Sequence, residues 1–173
     1  MAKRVIIAGA GHGGLVAGAY LAEKGYDVEM YEKMSREDLG HDWHDTMKNY
    51  TFDLAGIKNI DPQDIHFRKD NVFYPPSLKI EVVVEDTPKE RVDFEVDRKV
   101  LYKYLIDNAV AKGVKIHYKQ EVTAPIVEDG KVAGLIVGGK EIKADMVIDS
   151  AGMTSPVLSK LPESYKIRAE YGT

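Results

Sequence analysis

The chain has 173 residues, of which 44% are apolar and 30% charged, with a formal net charge of −4 and no cysteine. That length and apolar share suffice for a folded core, while the missing cysteine excludes disulfides, thiol nucleophiles and thiolate metal sites. The mild acidity speaks against a nucleic-acid partner, and no apolar run reaches the roughly 20 residues of a membrane-spanning helix, so no transmembrane segment is expected.

Met1–Arg4 leads into too short an apolar run for a secretory signal, which makes the cytoplasm the default location. Val5–Ala8 reads as a strand. It enters a turn, Gly9-Ala10-Gly11-His12-Gly13-Gly14, and a helical pattern follows from Leu15 to Lys24, stopped by Gly25. Val28–Tyr31 reads as a second strand, closed by Glu32 and then Lys33. Strand, glycine turn, helix, strand and acid is the order of a dinucleotide-binding βαβ unit. Gly9 would permit a backbone turn that other residues resist, Gly11 would let a pyrophosphate approach, and Gly14 would let the helix pack on the strand. The helix start would hold phosphates, and the Glu32 carboxylate would accept hydrogen bonds from a ribose diol while repelling a 2′-phosphate.

Lys33–Gly40 reads as a polar loop. Trp43, Met47, Tyr50 and Leu54 fall at helical spacing, which predicts a helix ended by Gly56. His41, Asp42, His44 and Asp45 lie in the same stretch, but His-x-x-His without a third ligand does not make a metal site, and none is expected. Residues 57–70 read as irregular. Asn71–Tyr74 reads as a strand stopped by Pro75 and Pro76. Lys79–Glu85 and Arg91–Val96 flank a polar turn containing Pro88, which predicts a hairpin or a small sheet outside the main one, with the Lys79–Glu85 run as an edge open to self-association. Asp97 reads as the N-cap of a helix ending near Gly113, and Val114–Tyr118 as a strand joining the main sheet. From Val122 a meander follows, with tight turns at Asp129-Gly130 and Gly138-Gly139. Asp145–Asp149 reads as a buried strand, and Ser155 before Pro156 as a turn or helix cap.

The Val5–Glu32 run resembles the FAD-binding fingerprint of flavoproteins with the glutathione-reductase-type fold. Phe94–Leu105, centred on Arg98, resembles the arginine-bearing helix start of the p-hydroxybenzoate hydroxylase and geranylgeranyl reductase branch. The meander followed by Ala144–Ser155 resembles that branch's D-G segment. The hairpin and Tyr74-Pro75-Pro76 lean toward the reductases. The fold this implies is α/β, a Rossmann-like parallel sheet with a β-meander and an inserted β-hairpin. Residues 1–173 would form an FAD-binding domain, and residues 71–97 a β-rich insertion belonging with a substrate domain.

The resemblance implies that Gly9, Ala10, Gly11, His12, Gly13, Gly14, Glu32 and Lys33 hold the ADP half of FAD. Arg98 would reach the pyrophosphate or ribityl region, and an alternative gives it Asp97 or Glu95 as an ion-pair partner. Val122 would offer backbone groups to the adenine, and Ala151 and Gly152 would pass close to the flavin chain. The family's D-G aspartate falls at Ala151, which weakens a monooxygenase reading. The reductases' usual cysteine-containing glycine motif has no cysteine in Leu39–His44. The implied function is the FAD-binding portion of an oxidoreductase that passes hydride through flavin to an isoprenoid-like or other small hydrophobic substrate, with NAD(P)H as a possible electron donor. The alternatives are an FAD-dependent aromatic monooxygenase and a non-catalytic dinucleotide-binding subunit needing a partner chain. Members of this branch run to more than twice this length, so the chain is expected to be a fragment with weak or absent FAD affinity and no turnover alone. No catalytic residue is assigned.

Overall fold

The structure, a computed structural model, describes residues 2–67, 70–85 and 93–165. In chain order the elements are β1 (Arg4–Ala8), α1 (His12–Glu23), β2 (Asp27–Glu32), β3 (His44–Lys48), α2 (Thr51–Leu54), β4 (Ile65–Phe67), β5 (Asp70–Phe73), β6 (Val82–Glu85), β7 (Asp93–Asp97) and α3 (Arg98–Ala111). Then follow β8 (Lys115–Tyr118), β9 (Val122–Glu128), β10 (Lys131–Val137), β11 (Lys140–Lys143), β12 (Met146–Asp149) and α4 (Pro156–Lys160). They fall into two compact units, residues 1–39 with 106–173, and residues 40–105.

The first unit carries a parallel sheet in the order β12-β1-β2-β8. β1 lies inside this sheet, and Val5, Ile6, Ile7 and Ala8 are all fully buried. An unbroken apolar run of this kind is what a strand covered on both faces requires. α1 packs onto the sheet through Gly18, where an added Cβ would stand 3.1 Å from the Ile7 Cδ1 and 3.4 Å from the Met30 Cε. The antiparallel meander β9-β10-β11 joins a core of Ile6, Ala8, Tyr31, Val122, Leu135, Val137 and Val157. Both of its turns have positive φ at the two central residues, Asp129 (46°) and Gly130 (72°), then Gly138 (54°) and Gly139 (79°), as type I′ hairpins require. The sequence reading of β8 and of the meander holds. β12 differs from expectation: it is the outer strand beside β1, so Met146 and Asp149 are exposed and the strand is not buried.

On the sheet Arg4, Glu29, Tyr31 and His117 form one network. The Glu29 carboxylate accepts from an Arg4 guanidinium nitrogen (2.8 Å) and from the Tyr31 hydroxyl (3.0 Å), and the His117 Nε2 lies 3.0 Å away. The Tyr31 and His117 rings stack at 4.8 Å. Burial alone would raise the Glu29 carboxyl, but the hydrogen bonds from Arg4, Tyr31 and His117 outweigh it and hold it below its ordinary value. Burial and the bond to Glu29 push the Tyr31 hydroxyl up to about 12. A carboxylate depressed in the folded state contributes stability that is present above its unfolded pKa and lost as pH falls through its folded one. Thermal melts from pH 6 to pH 3 are therefore expected to fall below the ordinary carboxylate value of 4.5. Glu29→Gln should be less stable at neutral pH and flatter across that acid range; an unchanged acid limb in the variant would contradict this.

The second unit holds the antiparallel sheet β3-β7-β4 and the separate ribbon β5-β6. Two expectations are corrected here. The helix expected over Trp43–Leu54 is replaced by β3 and the single turn α2. Trp43, Tyr50 and Leu54 are exposed, while the alternating Asp45 and Met47 are partly buried, as a strand's period of two requires. β3 pairs with β7 from His44 opposite Asp97 to Lys48 opposite Asp93, and this non-local pairing overrides the local spacing.

The hairpin, one of the two arrangements expected over residues 79–96, does not form either, whereas the other, small sheet structure outside the main sheet, does. β6 pairs with β5, whereas β7 runs between β3 and β4. β7 carries Phe94 and Val96 into a core where Phe94 stacks on Phe52 at 5.3 Å and meets Phe67 edge-on. Its two edges are thereby occupied, while the edge expected over Lys79–Glu85 falls on β6, which among the described residues pairs with β5 alone. The turn expected around Pro88 lies outside the described residues. The ribbon leaves Val72, Phe73, Val82 and Val83 exposed. Within the stretch read as irregular, Ile65–Phe67 is a strand after a 3-10 turn capped by Asp61. No helix among the described residues is long and apolar enough to cross a membrane.

Candidate functional site

β1 connects through α1 to β2 on one flank and pairs with the late strand β12 on the other. Strand order reverses at this point, and the crevice beyond the carboxyl ends of β1 and β12 is where such sheets bind ligands. Gly9 begins the connection with φ +84°, and its N–H donates to the Tyr31 carbonyl (2.8 Å). A Cβ on Gly9 would stand 2.7 Å from the Ser150 carbonyl oxygen. One on Gly14 would stand 2.8 Å from the Gly9 carbonyl oxygen, which bears out the close packing read for that glycine. Gly11 is small for a reason beyond ligand approach: a Cβ there would lie 3.1 Å from both the carbonyl and the hydroxyl oxygen of Ser150. Gly13 has open space where its Cβ would stand.

α1 starts at His12, with Gly11 as N-cap and no acidic residue in its first turn. The first amides of a helix have no intrahelical acceptor and carry partial positive charge. Here the Gly14 N–H is taken by the Ser150 Oγ (2.9 Å), and the Ala10 N–H donates to the Glu32 Oε2 (2.8 Å). Glu32 is buried at the tip of β2, and its Oε1 accepts the Met34 N–H (2.8 Å). Both carboxylate oxygens are therefore fixed by backbone amides, and each keeps a second lone pair for a ribose hydroxyl. Lys33, next to it, is exposed.

The turn after β12 is built by Asp149. Its Oδ1 accepts the Ala151 N–H (3.1 Å), and its Oδ2 accepts the Ser155 hydroxyl (2.5 Å). The Ser155 Oγ in turn caps α4 by accepting from Val157 and Leu158, in agreement with the cap read from sequence. Gly152 has φ +81° with open space around it. Val122 starts β9 with its side chain in the core and pairs with Val137.

Gly9, Ala10, Gly11, His12, Gly13, Gly14, Glu32, Lys33, Val122, Ala151 and Gly152 all belong to the first unit, and Arg98 to the second. Arg98 makes a two-pronged pair with Asp45, Nε to Oδ2 at 2.8 Å and Nη2 to Oδ1 at 2.5 Å. Its ion-pair partner is thus neither Asp97 nor Glu95. That pairing raises the guanidinium pKa above its ordinary value. Asp97 caps α3 through the Lys99 N–H (2.7 Å), as expected.

Sequence reasoning missed Ser150 and Asp149 as builders of the site. The available signal was a small polar residue ending a strand that returns beside β1. The arrangement fits an adenine dinucleotide: a helix start without its own anion, an open side at Gly13, and a buried carboxylate at the tip of the second strand. FAD bound there would be held by the glycine loop and Glu32.

Two family models match, one described as NAD(P)-binding Rossmann-like domain over residues 7–62 and one as tryptophan halogenase over residues 68–170. The chain is 30% identical over 159 residues to a digeranylgeranylglycerophospholipid reductase of Haloferax volcanii, covering 91% of this chain and 37% of the relative. It therefore spans less than half the length of that relative. A geranylgeranyl bacteriochlorophyll reductase-like structure from Thermoplasma acidophilum superposes with a TM-score of 0.72 at 26% identity, covering 86% of this chain and 38% of that one. The tetrameric form of 2-methyl-3-hydroxypyridine-5-carboxylic acid oxygenase shares the fold, with a TM-score of 0.76 at 24% identity over 90% of this chain and 41% of that one. The α/β Rossmann-like fold agrees across these relatives. By the match over residues 68–170 the chain belongs to the tryptophan halogenase family, and it shares its fold with the geranylgeranyl reductase-like protein.

Proposed function

We propose that this chain supplies the ADP-holding half of the FAD site in a flavin-dependent reductase of isoprenoid-like or other small hydrophobic substrates. The observation that carries the reading is the glycine loop joined to the buried Glu32 carboxylate through the Ala10 amide. FAD supplies hydride acceptance and donation when bound, with NAD(P)H as electron donor. The residues of this chain bind and orient: the helix start takes the diphosphate, and Glu32 takes the ribose diol. Val122, Ala151 and Gly152 border the cofactor in this reading, and residues 71–97 belong with a substrate domain. Location in the cytoplasm, and work with a partner chain, belong to the same reading. Ala151 at the position of the family's aspartate favours a reductase, whereas the halogenase model over residues 68–170 favours oxygen-using chemistry as the second reading.

Calorimetric titration tests the site. ADP and FAD are expected to bind with comparable affinity, because the loop and Glu32 contact the ADP half. ADP carrying an added 2′-phosphate is expected to bind at least about tenfold more weakly, because its charge meets the Glu32 carboxylate. Equal affinity for the two ADP forms would remove Glu32 from the ribose.

A further inference from the structure

Ser150, the first residue after β12, is bound into the loop from three sides. Its N–H donates to the Ala8 carbonyl at 2.8 Å. Its carbonyl oxygen occupies the space that a Cβ on Gly9 or Gly11 would need. Its Oγ accepts the Gly14 N–H at 2.9 Å. Gly14 is the third residue of α1 and is buried, so its amide is one the helix cannot satisfy by itself. Among the described residues that amide finds its acceptor on the residue that follows β12, 136 positions later in the chain.

We infer that Ser150 is a positioning residue for nucleotide binding: its hydroxyl ties the start of α1 to β12 and holds the Gly11–Gly13 amides in place for a diphosphate. The inference rests on the nucleotide-site reading above. A loop with glycine at positions 9, 11, 13 and 14 loses more backbone freedom on ordering than other residues would. A side-chain tether from a second strand orders it before the ligand arrives, so less of the binding energy is lost to ordering. The Ser150 carbonyl also sets the size limit at Gly9 and Gly11, so one residue governs both the shape of the loop and its anchoring.

Ser150→Ala and Ser150→Cys in the full chain separate this role from packing. Alanine removes the acceptor, and cysteine keeps the side-chain volume but accepts hydrogen bonds weakly. Calorimetry with ADP and with adenosine, and amide hydrogen exchange at Gly14, are the readouts. Both variants are expected to bind ADP about tenfold more weakly, to bind adenosine as the wild type does, and to exchange the Gly14 amide faster, with the melting temperature lowered by a few degrees for the lost hydrogen bond. Wild-type or tighter ADP affinity in either variant would overturn the inference, since the Gly14 amide would then serve the phosphate better untied. Equal losses for ADP and adenosine would reduce Ser150 to packing. A wild-type chain that binds neither compound, while Gly14 is still protected by Ser150, would sink the nucleotide reading itself and this inference with it.

Discussion

Gly9→Ala is expected to destabilise the first unit by about 2–6 kcal/mol and to abolish ADP binding. About 1–3 kcal/mol comes from forcing a side chain to adopt φ +84°. About 1–3 kcal/mol more comes from overpacking, because the new Cβ would meet the Ser150 carbonyl oxygen at 2.7 Å and the Ala151 Cα at 2.9 Å. These are backbone atoms on a neighbouring strand, so no rotamer change relieves the clash. Against a typical domain stability of about 5–15 kcal/mol the loss is large. Gly13→Ala is the control within the same loop. Nothing lies within 4 Å of the position of its Cβ, and alanine in place of glycine inside a helix gains up to about 1 kcal/mol. That variant should fold as well as the wild type or better, yet bind ADP more weakly because the methyl group projects into the open side of the loop. Urea denaturation and ADP titration of both variants make the comparison. Equal stability of Gly9→Ala and the wild type would refute the close approach of β12.

Glu32→Gln carries the second large effect. The Glu32 carboxylate accepts the Ala10 N–H and the Met34 N–H, one on each oxygen, in a buried setting. Glutamine keeps one acceptor and turns an NH₂ group toward the other amide, so one buried donor loses its partner and faces another donor. The expected cost is about 1–3 kcal/mol. The Ala10 amide is the link between β2 and the glycine loop, so ADP affinity should fall together with stability. Denaturation midpoints and calorimetry check this. A glutamine variant that keeps full stability and binds ADP tenfold more weakly would show Glu32 acting on the ribose alone and not on the loop.

The βαβ unit at the N-terminus was legible because its signals are local. An apolar run, a glycine turn, a helical pattern stopped by Gly25 and a carboxylate at the next strand's tip all lie within residues 5–32. The type I′ turns of the meander were legible for the same reason, since Asp129-Gly130 and Gly138-Gly139 adopt positive φ with little regard to what packs nearby. The stretch 41–56 was misread because Trp43, Met47, Tyr50 and Leu54 share a helical spacing by coincidence, while the backbone of His44–Lys48 is committed to β7. The same strand explains the absent hairpin: Phe94 and Val96 are buried where both edges of β7 are occupied, and no local pattern says which neighbours a strand will take.

Arg98 illustrates the boundary between the two kinds of information. Its place at a helix start after Asp97 follows from sequence, but its pairing with Asp45 needs β3 beside β7. By itself the sequence determined the dinucleotide character of the loop, the carboxylate that closes it, the meander and the order of the parallel strands β1, β2 and β8. These depend on backbone conformations and periodicities that a few adjacent residues dictate. Only the tertiary structure decided that β12 returns beside β1 and sets Ser150 against Gly9, Gly11 and Gly14, and that β7 runs between β3 and β4. Those contacts join residues from 27 positions apart, Phe67 with Phe94, to 141 apart, Val5 with Met146, and they follow from which apolar faces can be buried together, a property of the whole packed chain that no short stretch carries.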